Sequence, residues 1–145
     1  GLQLPDNEKE EYDNECILRA PLIVSDDGQS FTFPAPVPVG SKIISCQRDE
    51  EYLFKGMDGV GYRLIDQLGG RKPVAIFQMD CMARGRMTLG VIEKDEIIGS
   101  LQDIVIGEKK IPWLGDYGFG EFAKLGGVNR FHNYTTSLSM IVRKT

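Results

Sequence analysis

The chain has 145 residues, a formal net charge of −4 and a sequence pI near 5.0. That balance argues against a nucleic-acid partner, because phosphate recognition needs a basic face. No apolar run approaches the ~20 residues of a membrane-spanning helix, and the polar start GLQLPDNEKEEYDNE is not a signal peptide.

The length points to one domain, able to bury roughly 68–70% of its unfolded surface without disulfides or metals. Residues 5–15 hold Asp6, Glu8, Glu10, Glu11, Asp13 and Glu15 against Lys9 alone. Such a charge run is read as solvated, so residues 1–13 are expected to be an acidic linker or tail and residues 14–145 the folded domain. Gly1 in place of a methionine is read as a cleavage scar on a piece of a longer protein. The three cysteines, Cys16, Cys46 and Cys81, are scattered without CxxC spacing. That pattern predicts free thiols and a reducing, cytoplasmic setting.

Residues 16–24 alternate as a strand, with Ile17, Leu22 and Val24 as core candidates. Asp26-Asp27-Gly28 is a hairpin signal, and Gln29 to Phe33 returns as a second strand. Pro34, Pro36 and Pro38 impose an extended loop, since proline removes ladder donors. Lys42 to Gln47 reads as a third strand. Asp49 has the chemistry of an N-cap, followed by Glu50 and Glu51 at the positive end of a helix. Leu53, Met57, Val60, Leu64 and Leu68 continue at helical spacing, and Gly69-Gly70 before Pro73 stops the helix. Gly56, Gly59 and Gly61 within it predict close packing against a sheet or an unwound segment.

Val74 to Met79 is a short apolar run and reads as a central strand buried on both faces. The segment DCMARGR at 80–86 follows. Asp95 is placed as the cap of a second helix, with Ile97, Ile98, Leu101, Ile104 and Val105 facing inward up to Gly107. If residues 111–122 are extended, Trp113, Gly115, Tyr117, Phe119 and Glu121 share one face. Gly118 and Gly120 then leave a slot on the other, open to a ligand or a second backbone. Gly126-Gly127 turns the chain, and Leu138, Met140 and Val142 alternate in a last strand. The predicted order is β-β-β-α-β-α-β-β, an α+β fold with about two main helices and a largely antiparallel or mixed sheet.

The chemistry concentrates at three places. Arg84 and Arg86 offer guanidinium forks for an anion, or internal pairing with Asp80 or Glu121. Cys81 lies among those cations, which favour a thiolate. A catalytic cysteine also needs a base, and His132 is the only histidine. No spacing requires the two to meet, so a packed or wall-lining thiol is the reading. Glu121 could bind a ligand amine or pair with an arginine; opposite an arginine it would suit a zwitterion. No second histidine or carboxylate at metal spacing supports a zinc site. A haem iron needs only one axial side chain, which leaves His132 or Cys81 open to that role. Asn133 and Thr135 have the chemistry of turn and strand-start hydrogen bonding.

DCMARGR at 80–86, WLGDYGFGE at 113–121 and FHNYT at 131–135, in that order, resemble the C-terminal half of the FIST sensory domain, the FIST C domain. The likeness is clearest over residues 73–143 and extends back to about residue 14 through LRAP, the Asp-Asp-Gly turn and VPVG. FIST domains look like input modules of bacterial signalling proteins, and also occur in some eukaryotic F-box proteins. The bacterial ones are joined in one polypeptide to a histidine kinase, chemoreceptor or cyclic-dinucleotide output domain. The resemblance implies a non-catalytic module that binds a small ligand, amino acids being among those proposed. Alternatives are a haem-binding nitric oxide sensor, and a structural half of a larger domain with no site of its own. The positions that match the family pattern are Cys81, Arg84 and Gly85; Gly115, Gly120 and Glu121; and His132, Asn133 and Thr135. Asp116 and Gly118 depart from it, on one strand face, where ligand preference would change. The family's N-terminal half is expected to lie outside this sequence and to act as a partner.

Overall fold

The computed structural model describes residues 1–12, 14–85, 87 and 89–144. The chain is α+β, with two long helices laid on one face of a small mixed sheet. The N-terminal third is built of short pieces: β1 (Leu2–Gln3), α1 (Asp6–Tyr12), β2 (Cys16–Ile17), β3 (Ile23–Val24) and β4 (Phe31–Thr32). β1 pairs antiparallel with β2, and Leu2 also bridges to Ile43. The expected strand over 42–47 is reduced to that bridge. The acidic stretch holds β1 and α1, and Glu8 of α1 is ion-paired to Arg130.

The Asp26-Asp27-Gly28 turn is formed, with Gly28 at φ 69° and the Ser25 N–H donating to Ser30 O across the hairpin. The hairpin lies at the surface, however. Leu22, Val24 and Phe31 are exposed, not core, and of the predicted first strand only Cys16 and Ile17 are buried. Pro21 interrupts that strand, so the alternation read from the sequence cannot continue through it.

α2 (Glu50–Leu68) begins and ends as its sequence dictates. The Asp49 side chain accepts from the Tyr52 N–H, and Gly69 closes the helix in the left-handed region. Gly61 is buried where α2 crosses α3 (Val91–Val105); a Cβ there would meet Ile104 Cγ2 at 2.8 Å. The close packing signalled by glycine is therefore against a helix rather than a sheet. α3 starts at a Gly90 cap that has no side-chain hydrogen bond. Asp95 lies inside the helix instead of capping it.

β5 (Pro73–Cys81) is the centre of a three-stranded sheet. It runs parallel to β6 (Trp113–Gly118) and antiparallel to β9 (Thr136–Val142). Ile76 packs with Met57, Leu89, Ile97, Leu101 and Val105 into the core, and Trp113, Leu138 and Met140 join from the neighbouring strands. The other face is open: Phe77 and Met79 are each 41% exposed, Leu114 65% and Ile141 51%. The expectation of a strand buried on both faces is corrected, because the helices cover one face only. β6 ends at Gly118, and β7 (Glu121–Leu125) forms a separate hairpin with β8 (Val128–His132). Gly126 and Gly127, at φ 54° and 81°, supply the two positive-φ positions of its two-residue loop.

Candidate functional site

The site lies where the C-terminal end of β5, the start of β7, the end of β8 and the turn before β9 converge. The pairing brings it about. Cys81 stands beside Gly118 at the end of β6, and its N–H donates to Thr135 O at 3.0 Å. Glu121 stands directly opposite His132 across β7 and β8, a register that puts both side chains on one face. Cys81, Asp80, Arg84, Glu121, His132 and Asn133 are all buried.

Asp80 is four residues before Arg84, and a single guanidinium nitrogen of Arg84 reaches Asp80 Oδ1 at 3.0 Å and Oδ2 at 3.2 Å. The Cys81 N–H also donates to Asp80 Oδ1 at 2.9 Å. Burial still pushes the Asp80 carboxyl above its ordinary range, with Arg84 and the Cys81 N–H pulling the other way. Of the two roles open to Arg84 in the sequence, internal pairing with Asp80 is the one seen. Arg86 lies outside the described residues.

Glu121 is 1% exposed. Its Oε2 accepts from Thr135 Oγ1 at 3.0 Å and from the Thr135 N–H at 3.4 Å. Its Oε1 has no hydrogen-bond partner, and no cation pairs with it among the described residues. Burial raises its pKa most; Thr135 and the Cys81 thiol lower it, and the Asp80 charge raises it further. His132 is held below its ordinary value by burial and by the Arg19 and Arg130 charges, against a hydrogen bond to the Ala123 backbone. Its Nε2 is buried and unpartnered. In a neutral imidazole Nε2 is an acceptor when the proton sits on the other ring nitrogen. The imidazole lies 5.8 Å from the Tyr12 ring.

The glycines sort by what covers them. A Cβ on Gly85 would meet Tyr117 Cε1 at 2.7 Å, and one on Gly120 would run into the Phe131 ring. At Gly115 the nearest atom would be Gln78 O at 3.7 Å, an ordinary contact. The extended 111–122 segment with a continuous slot is thus corrected. The chain turns at Phe119–Gly120, and the space at Gly120 is filled by Phe131. Asn133 Oδ1 accepts from the Ala20 N–H at 3.4 Å, which anchors the segment after β2 to the site.

Two neighbours went unmarked in the sequence. The Tyr117 hydroxyl is buried without a partner, with its ring over Gly85. Arg19 donates to Phe131 O at 3.1 Å. Tyr117 carried a signal, its place on the Trp113 face; Arg19 carried only its place in LRAP, and nothing in that segment points to its partner, a backbone carbonyl 112 residues away. No hydrogen bond links Cys81 to His132 among the described residues, and no cluster of three potential metal ligands occurs among them. A shallow hollow of about 20 Å³ lies elsewhere, against Gly1, Leu2, Arg19, Phe33, Val37 and Ile43, with room for about one water.

The family model of the FIST C domain matches residues 2–124. The matched stretch takes in 80–86 and 113–121 and stops before 131–135. Two uncharacterized proteins of Mycobacterium tuberculosis, from strains CDC 1551 / Oshkosh and H37Rv, are each 29% identical over 106 residues, 73% of this chain and 26% of theirs. The chain therefore spans about a quarter of the length of these curated relatives. No solved structure matches it.

Proposed function

The chain belongs to the FIST C domain family, a sensory-type family, and on that premise we propose that it is a non-catalytic input module that binds a small ligand through an ammonium group. An amino acid is the simplest ligand of this kind. The signal passes to an output domain of the same polypeptide.

The observation that carries this reading is Glu121. A buried carboxylate whose Oε1 meets no N–H or O–H donor and no cation among the described residues is costly, and a ligand cation offsets that cost. His132 Nε2, buried and unpartnered, stands directly across the hairpin and is a second acceptor in the tautomer that carries its proton on the other ring nitrogen. Thr135 fixes the carboxylate, Asn133 holds the turn, and Cys81 lines the wall. Gly85 and Gly120 leave room for the Tyr117 and Phe131 rings, and Arg84 holds the Asp80 end. Entry of a ligand displaces packed side chains, and that displacement is the start of the signal.

A thermal-shift series of amino acids and primary amines beside their deaminated counterparts tests the reading. Binding to the native state alone adds about 2.7 kcal/mol at a hundred times Kd. A stabilisation confined to compounds that keep the ammonium group is expected. Equal shifts from the deaminated compounds would sink the ammonium assignment.

Haem fits the residues poorly. His132 is 3% exposed and its Nε2 is buried, so that nitrogen has no open approach for a haem iron. The open sheet face supports a further part of the proposal, that the N-terminal half of the domain in longer proteins covers Phe77, Met79, Leu114 and Ile141. Phe77→Asp is expected to leave this chain folded and to abolish co-purification with a separately expressed N-terminal half. Undiminished co-purification would place the contact elsewhere.

A further inference from the structure

Cys16 and Cys46 are 30 residues apart in sequence, yet their sulfurs stand 3.6 Å apart. The first residues bring them together. β1 pairs with β2 on one side, while on the other the Gln3 N–H donates to Lys42 O at 3.0 Å and the Ile44 N–H to Gly1 O at 2.8 Å. Gly1 leaves the space in which the sulfurs meet, since a Cβ there would run into Cys16 Sγ and stand 3.0 Å from Cys46 Sγ. Cys16 is buried and Cys46 exposed.

We propose that Cys16 and Cys46 form an oxidative modification site, a dithiol that closes to a disulfide in response to peroxide. A bond of about 2.0 Å requires the sulfurs to approach by only about 1.5 Å. Exposed Cys46 is the sulfur that peroxide reaches. Its thiolate attacks one peroxide oxygen; an S–O bond forms, the O–O bond breaks, and hydroxide leaves with the electron pair. Cys16 then attacks the resulting sulfenic acid. The S–S bond forms, the S–O bond breaks, and the oxygen departs as water with the Cys16 proton. Both sulfurs are oxidised and the peroxide is reduced. Burial raises the Cys16 thiol, which suits the resolving partner better than the first attacker. Cytosolic disulfides of this kind are typically redox-sensing.

The bond would act on the candidate site. Just past β2, Arg19 donates to Phe131 O and the Ala20 N–H to Asn133 Oδ1. Oxidation fastens the segment that makes both contacts to the 42–46 chain.

The test treats the reduced protein with hydrogen peroxide and maps its peptides without reductant. A Cys16–Cys46 link is expected, with the mass lower by two hydrogens, Cys81 still a thiol, and full reversal by dithiothreitol. Because Cys46 is exposed, Cys46→Ser folds and forms no intramolecular link. Slower hydrogen exchange at the amides of 131–133 is expected on oxidation of the native sequence, and no change in the variant. A sulfinic acid at Cys46, a link that includes Cys81, or a dimer joined through Cys46 would overturn the site. Unchanged exchange at 131–133 would overturn the coupling.

Discussion

At Glu121 and His132, burial pushes two facing groups towards their neutral forms. The Glu121 carboxyl sits above its ordinary 4.5, from burial first. Its contribution to stability is fully present below 4.5 and is lost as the pH rises through the folded value. His132 sits below its ordinary 6.5, again from burial first. Its contribution is present above 6.5 and is lost as the pH falls through its folded value. Denaturation midpoints measured across pH should therefore lose their decline on the alkaline side of 4.5 in Glu121→Gln, and their decline on the acid side of 6.5 in His132→Gln. The reverse assignment would contradict the burial account. Arg84 makes a separate prediction. Arg84→Met leaves Asp80 buried and unpaired, a loss of about 3–5 kcal/mol in urea unfolding, most of it recovered in Asp80→Asn with Arg84→Met. No recovery would mean that Arg84 answers to something other than Asp80. These roles were only half legible in the sequence. Pairing with Asp80, four residues before Arg84, is one of the roles open in the sequence, but the turn beyond β5 that brings the two together has no hydrophobic period to mark it.

The elements divide by how local their signals are. α2 could be read from end to end because Asp49 and Gly69 carry their own capping chemistry. Asp49→Ala should cost about 1 kcal/mol in thermal unfolding, and no loss would show that the cap is idle. The start of α3 is not legible in the sequence, since its Gly90 cap carries no side-chain signal and Asp95 has the right chemistry in the wrong place. The break between β6 and β7 was hidden for another reason. Glycines at 118 and 120 fit an extended strand as well as a turn, and only Phe131, brought across by β8, decides between them. Gly120→Ala drives a methyl into that ring, which Phe122 meets edge-on at 5.4 Å. A loss of about 1–3 kcal/mol is expected, with Phe131→Leu in the same chain restoring part of it. Gly115→Ala, with only ordinary contacts, should cost less. Equal losses at the two positions would remove the steric explanation.

For the whole molecule, the class and the two-helix plan followed from periodicity, while the layers did not. A continuous apolar run such as Val74–Met79 reads the same whether one face or both are covered, and here Phe77 and Met79 look outward. Before residue 48 the Asp26-Asp27-Gly28 hairpin was legible in its turn residues, while β1 and the bridge at Ile43 were not, because such short pairings owe their existence to distant partners. No helix among the described residues is long and apolar enough to cross a membrane. The packed junction beneath the open sheet is where a sensory role must be earned. Its most direct test is calorimetric titration of the strongest ammonium ligand from the thermal series into the native protein and into Glu121→Gln. A lost charge-assisted hydrogen bond of about 1.5–3 kcal/mol corresponds to roughly 10- to 150-fold weaker binding in the variant. Equal affinity in the two proteins would contradict the assignment of Glu121 as the ammonium acceptor.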